Sequence, residues 1–170
     1  MPVNDPLKVA AIIADAGGRV VGRTRLQKIA YLLTVAGLET DLSFSYKHYG
    51  PFSEDLASSA QLGALLGLFN EFEQPTSWGG SYSTYVSAAP AVPHVGARQE
   101  LARAAASADA VELELAATAV FLSREGYGNP WEETARRKPE KAVNGRIDRA
   151  KVLLRTLASI QTPTPLPALA

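Results

Sequence analysis

Apolar positions recur at helical spacing over most of this chain and give way to alternation in only a few short stretches. Asp5-Pro6 opens the first helix: Asp accepts hydrogen bonds from free N–H groups, and Pro suits the first turn. Leu7, Ala10, Ala11 and Ala14 then share a face, with Ile12 and Ile13 beside them, and Gly17-Gly18 ends the run. A second helix is predicted from an N-cap at Thr24, with Leu26, Ile29, Ala30 and Leu33 on its buried face and Gly37 as its stop. The period then changes to two. Phe44 and Tyr46 alternate with Ser43, Ser45 and Lys47, a half-buried strand, and His48, Tyr49, Gly50, Pro51 and Phe52 form a corner. Ser53 caps a third helix reaching about Leu66, with Glu54 and Asp55 where the helix dipole favours negative charge.

Residues 68–73 and 82–88 read as two strands joined by a loop that contains Pro75, Gly79 and Gly80. Residues 89–96, with Pro90, Pro93 and Gly96, form a linker. Helices are predicted over 98–106 and over 109–124 capped by Asp109, then a short helix over 131–138 started by Asn129-Pro130. A long closing helix is expected over 141–160, with Val143, Ile147, Ala150, Leu154 and Leu157 on one face. The tail, residues 161–170, carries three prolines and is expected to be disordered, frayed or extended. The expected fold is therefore mainly α with a small antiparallel hairpin or sheet (α+β), in a single domain over residues 1–160. Helix, helix, helix and hairpin is the order of a winged helix, which makes residues 5–88 a winged-helix-like half and residues 97–160 a set of C-terminal helices. The strand and corner between the second and third helices depart from that plan.

At 170 residues and 46% hydrophobic content, the chain can bury one core of ordinary size. Seventeen basic residues balance seventeen acidic ones, which weakens any case for strong non-specific binding to nucleic acid. The sequence holds no cysteine, so disulfides, thiolate metal sites and cysteine nucleophiles are excluded. The N-terminal residues lack the basic region of a signal peptide, and no apolar run approaches the ~20 residues that span a bilayer. A cytoplasmic protein without membrane association is expected.

No residue set points to catalysis, a metal or a cofactor. His48 and His94 are the only histidines; neither has an evident nucleophile or a converging set of ligands. The glycine doublets open no phosphate-binding loop. Glu71 and Glu73 share one face of their strand and read as a solvated edge that discourages aggregation. Gln27 and Lys28 sit between the core positions Leu26 and Ile29. They are candidates for an architectural clamp on the strand and corner, or for direct contact with a partner. Of the aromatics, Tyr46 is assigned to the core, and Tyr49 and Phe52 to a partly exposed surface that would suit a protein partner. Residues 136–155 are rich in Arg and Lys, suited to an acidic protein surface or to phosphates, with Arg23, Arg25 and Lys28 as a smaller cluster.

The segments GRTRLQKIAYLL, the aromatic strand, YGPFSEDL and LGLFNE together resemble the YwgA-like family, which shares its outline with the Panacea (SocA-like) antitoxin domain. The likeness covers residues 5–73 and continues weakly through 111–122 and the closing helix. It implies a mainly helical domain with a small antiparallel sheet, acting as an antitoxin-like, non-enzymatic neutraliser of a partner toxin. As structural signature residues it implies Leu26, Gln27, Tyr31, Tyr46, Gly50, Pro51, Ser53 and Leu56, together with Lys28 and Tyr49. The expected partner-binding residues are Tyr49, Phe52, Lys28, Arg25 and His48. The alternative is a winged-helix DNA-binding regulator, against which the acidic, Arg- and Lys-free start of the third helix counts. A homodimer through the hairpin edge or the closing helix is also open.

Overall fold

Among the described residues, seven helices and two small antiparallel sheets follow one another in the order α1 (Pro6–Asp15), β1 (Arg19–Val21), α2 (Arg23–Val35), β2 (Ser45–Lys47), β3 (Gly50–Phe52), α3 (Glu54–Leu65), β4 (Phe69–Pro75), β5 (Ser81–Ser87), α4 (Ala97–Ser107), α5 (Ala110–Arg124), α6 (Pro130–Arg137) and α7 (Arg146–Ala158). This computed structural model describes residues 4–47, 49–90, 92–93 and 95–169. The fold is mixed α+β and mainly helical, as the periodicity predicts.

The first half has winged-helix order. β1 lies between α1 and α2, and the sheet order β1-β5-β4 brings the β4–β5 hairpin back alongside it. The β2–β3 ribbon is the insertion between α2 and α3; it pairs Ser45 with Phe52, Tyr46 with Pro51 and Lys47 with Gly50. The corner predicted at Gly50-Pro51 is thus itself a strand. Pro51 is tolerated there because a two-stranded ribbon has a free edge that needs no N–H.

α2 and α5 form the centre. Leu26 to Leu33 are all buried in α2, and Leu113 to Val120 are all buried in α5. A helix buried on every side must bury its polar residues too, and Gln27, Lys28, Glu114 and Thr118 are therefore the residues that need internal partners. One apolar core runs from Val9 through Ile29 and Leu115 to Leu154 and Leu166, joining both halves. Within the C-terminal segment Leu166 is buried, and the Thr164 N–H donates to the Ala36 carbonyl at 3.0 Å.

The caps at Asp5, Ser53, Asp109 and Asn129 stand as the sequence predicts, each accepting backbone N–H bonds. Two boundaries differ. α2 begins at Arg23 with Gly22 as its N-cap, not at Thr24, because β1 runs straight into the helix. The Gly22 N–H is engaged by the Ser83 carbonyl at 2.7 Å. The closing helix starts at Arg146, not at residue 141. Asn144 (φ 60°) and Gly145 (φ 74°) are both left-handed, and a right-handed helix cannot pass through them. Val143, expected on its buried face, is exposed. Residues 139–145 instead turn back, which brings Lys141 to α5.

Candidate partner-binding site

The β2–β3 ribbon is anchored by the polar residues of α2. Gln27 spans Ser53: its Nε2 donates to the Ser53 carbonyl at 3.0 Å, and its Oε1 accepts the Ser53 N–H at 2.8 Å. The Ser53 hydroxyl then accepts the Leu56 N–H and caps α3. Lys28 donates from Nζ to the Pro51 carbonyl at 2.8 Å. The structure thus realises the clamp reading of Gln27 and Lys28, at Pro51 and Ser53. Lys28 is only 1% exposed, so it cannot touch a partner, which corrects its assignment to a binding surface.

Beneath the ribbon lies a cluster of charge. The Glu114 carboxylate of α5 accepts from Lys138 Nζ at 2.9 Å and from Lys141 Nζ at 2.8 and 2.9 Å. Burial pushes the Lys28 ammonium down to about 7; Glu114 opposes the shift, and Lys138 and Lys141 add to it. Gly50 packs so tightly on α5 that a Cβ there would meet the Thr118 Oγ1 at 2.4 Å, and its φ of +96° favours glycine independently. Lys141 also stands 4.7 Å from the ring centre of Tyr49, a cation–π contact supporting that ring from one face.

Tyr49 and Phe52 line a groove of about 450 Å³ with Arg23, Gln61, Glu71 and Tyr85. The walls are the start of α2, one side of α3 and the sheet face bearing Glu71 and Tyr85. Arg23 Nη2 donates to Glu71 Oε2 at 3.0 Å across it, and the Ser83 hydroxyl donates to the same oxygen at 2.6 Å. Burial, with Glu71 nearby, pushes the Tyr85 phenol up to about 12. Tyr49 is 54% exposed and Phe52 half-buried, with Lys47 Nζ 5.3 Å from the Phe52 ring centre.

No family model, curated protein or solved structure matches this chain.

Of the expected partner-binding residues, Tyr49 and Phe52 therefore come together at a groove. Arg25 does not join them. Arg25 is half-buried, and its guanidinium donates to the carbonyls of Val21, Ala105 and Ala108 and ties α2 to the end of α4. His48, like His94, lies outside the described residues. Leu26, Tyr31, Pro51 and Leu56 are buried. Tyr46, expected in the core, is half-buried: Phe121 packs at 6.1 Å on one side and the Arg137 guanidinium lies 4.7 Å from its ring centre. Thr24, Gln61 and Tyr85 line the groove but were not assigned to a site from the sequence, for they arrive from three separate elements. Glu114 left one trace, a lone carboxylate within the apolar run of α5.

The basic stretch is largely spent on internal pairs. Arg136 and Arg137 bond Glu133, Lys138 and Lys141 bond Glu114, and Arg149 bonds Glu112. Among the described residues no three His, Asp or Glu side chains gather as a metal site, and no helix is long and apolar enough to cross a membrane.

Proposed function

We propose that this chain is a non-enzymatic protein-binding module, antitoxin-like in that it captures and neutralises a partner toxin. The observation that carries the reading is the groove at Tyr49 and Phe52. One aromatic is exposed yet held from beneath by Lys141, and the ribbon bearing both is clamped to α2, so little side-chain freedom has to be lost on binding. Aromatic anchors beside a groove are the residue type that dominates protein interfaces. A cytoplasmic setting belongs to the same proposal, as does a protein partner in place of a cofactor.

The test is capture of the partner from the protein's own cells with the tagged chain, after nuclease treatment. Wild type is expected to retain one stoichiometric protein, and a Tyr49→Ala, Phe52→Ala double variant of unchanged melting temperature to lose it. Equal retention by both would remove the groove from the reading.

A winged-helix DNA-binding regulator is the second reading, supported by the element order and the sheet order β1-β5-β4. In that geometry α3 would face the duplex, yet its first turn carries Glu54 and Asp55, and the hairpin adds Glu71 and Glu73. Binding to duplex DNA that weakens steeply with salt would promote this reading.

A further inference from the structure

β4 ends the three-stranded sheet, and among the described residues no strand pairs with its outer side. Which backbone groups face outward follows from the ladder. The Thr76 N–H donates to the Gly80 carbonyl across the hairpin at 2.8 Å. In an antiparallel ladder every second residue turns the same way, so Gln74, Phe72 and Asn70 address β5. Glu71 and Glu73 therefore present their N–H and C=O groups to the open edge. The partners of these odd positions agree: the Ser83 carbonyl, opposite Glu73, accepts from Gly22, and the Ser87 N–H, opposite Phe69, donates to Gly18.

The two faces flanking this edge differ in chemistry. Glu71 and Glu73 lie on the face that borders the groove, and Arg23 is the cation bonded to Glu71. Glu73 is exposed, and its carboxylate accepts a hydrogen bond from the Ser81 hydroxyl at 3.0 Å. The opposite face carries Phe72 and, diagonally across on β5, Tyr82; they are 53% and 40% exposed. A second copy of this chain fits poorly here. Two-fold pairing about Phe72 would set Glu71 against the Glu73 of the other copy at both ends, and directly opposed like charges destabilise a sheet.

We propose that β4 accepts an extended segment of a partner protein as a fourth strand, with Lys or Arg beside Glu71 and Glu73 and an apolar residue beside Phe72. Main-chain bonds at Glu71 and Glu73 supply the attachment and the alternating side chains the selectivity. The inference rests on the protein-binding reading and gives that partner a chemistry: an extended segment alternating basic and apolar residues.

The probe is a synthetic peptide alternating Lys and Val, matched to β4 in length, added to the full chain and followed by amide NMR and hydrogen exchange. It is expected to bind and to protect the Glu71 and Glu73 amides. A Glu-for-Lys peptide, or the Lys peptide N-methylated on alternate amides, should bind about tenfold more weakly or worse. Glu73→Pro removes an outward N–H and no β4–β5 bond, since proline is compatible with an edge strand. That variant should keep the β4–β5 amides protected and lose peptide affinity by about tenfold. Affinity indifferent to N-methylation or to Glu73→Pro, or edge amides already protected in a dimer without peptide, overturns the inference. Capture of the natural partner that survives Glu73→Pro yet fails for the Tyr49→Ala, Phe52→Ala variant overturns the edge alone and leaves the protein-binding reading standing.

Discussion

Replacing Lys28 with methionine should remove a pH dependence from the stability of the protein. The Lys28 ammonium is buried, donates to the Pro51 carbonyl, and shares its surroundings with Lys138, Lys141 and the Glu114 carboxylate. Its pKa falls from the usual 10.5 to about 7 in the folded protein. Between those values the unfolded chain keeps a proton that the native state has released. The unfolded state binds more protons there, so stability rises with pH through this window, by up to about 1.4 kcal/mol per unit. Below about 7 both states are protonated, the dependence vanishes, and the native state bears the full cost of the buried charge. That cost is on the order of 5 kcal/mol. Lys28→Met removes it and with it one hydrogen bond worth about 1 kcal/mol. Urea unfolding of both proteins at pH 6.5, 8 and 9.5 (about one pH unit or more apart, spanning the window) checks the expectation. The variant should match or exceed wild type at the lowest pH, and wild type should gain on it steadily towards the highest. Parallel stability curves across the window would show that Lys28 keeps its proton in the folded state and refute the argument.

Three further outcomes follow from the same region. Gly50→Ala forces a left-handed backbone and drives a methyl into Thr118, so it should cost at least ~2 kcal/mol in urea unfolding; adding Thr118→Ala should recover only the part due to the collision. Gln27→Leu leaves the buried N–H and C=O of Ser53 without their partner and should destabilise by ~2–4 kcal/mol, read from the thermal midpoint. Ser53→Ala keeps those backbone bonds and loses the cap, so about 1 kcal/mol is expected, with hydrogen exchange at Leu56 rising first.

Local signals in the sequence were enough for most elements. Asp5, Ser53, Asp109 and Asn129 announce their helices because a capping side chain acts within three residues of itself. β1 gave no such signal: three residues are too few for a period, and Arg19–Val21 becomes a strand only because β5 arrives from far along the chain. The overlong closing helix reflects apolar spacing read through Asn144-Gly145, where two successive left-handed residues outweigh the pattern. The site was legible in part. Tyr49 and Phe52 stand together in the sequence beside a Gly-Pro turn, and the polar pair Gln27-Lys28 interrupts an apolar helix. What sequence alone could not show is that Lys28 and Arg25 are consumed inside the fold, Lys28 by the Pro51 carbonyl and Arg25 by three carbonyls, two of them beyond residue 100.

The proposed function rests on the surface at Tyr49 and Phe52. The most direct test measures the affinity of the captured partner, once purified, for wild type and for the Tyr49→Ala and Phe52→Ala single variants. Each variant should weaken binding by about tenfold or more, the scale of an interface anchor, while its melting temperature stays with wild type. Undiminished affinity in both variants, with the partner still bound one to one, would mean that the partner binds elsewhere.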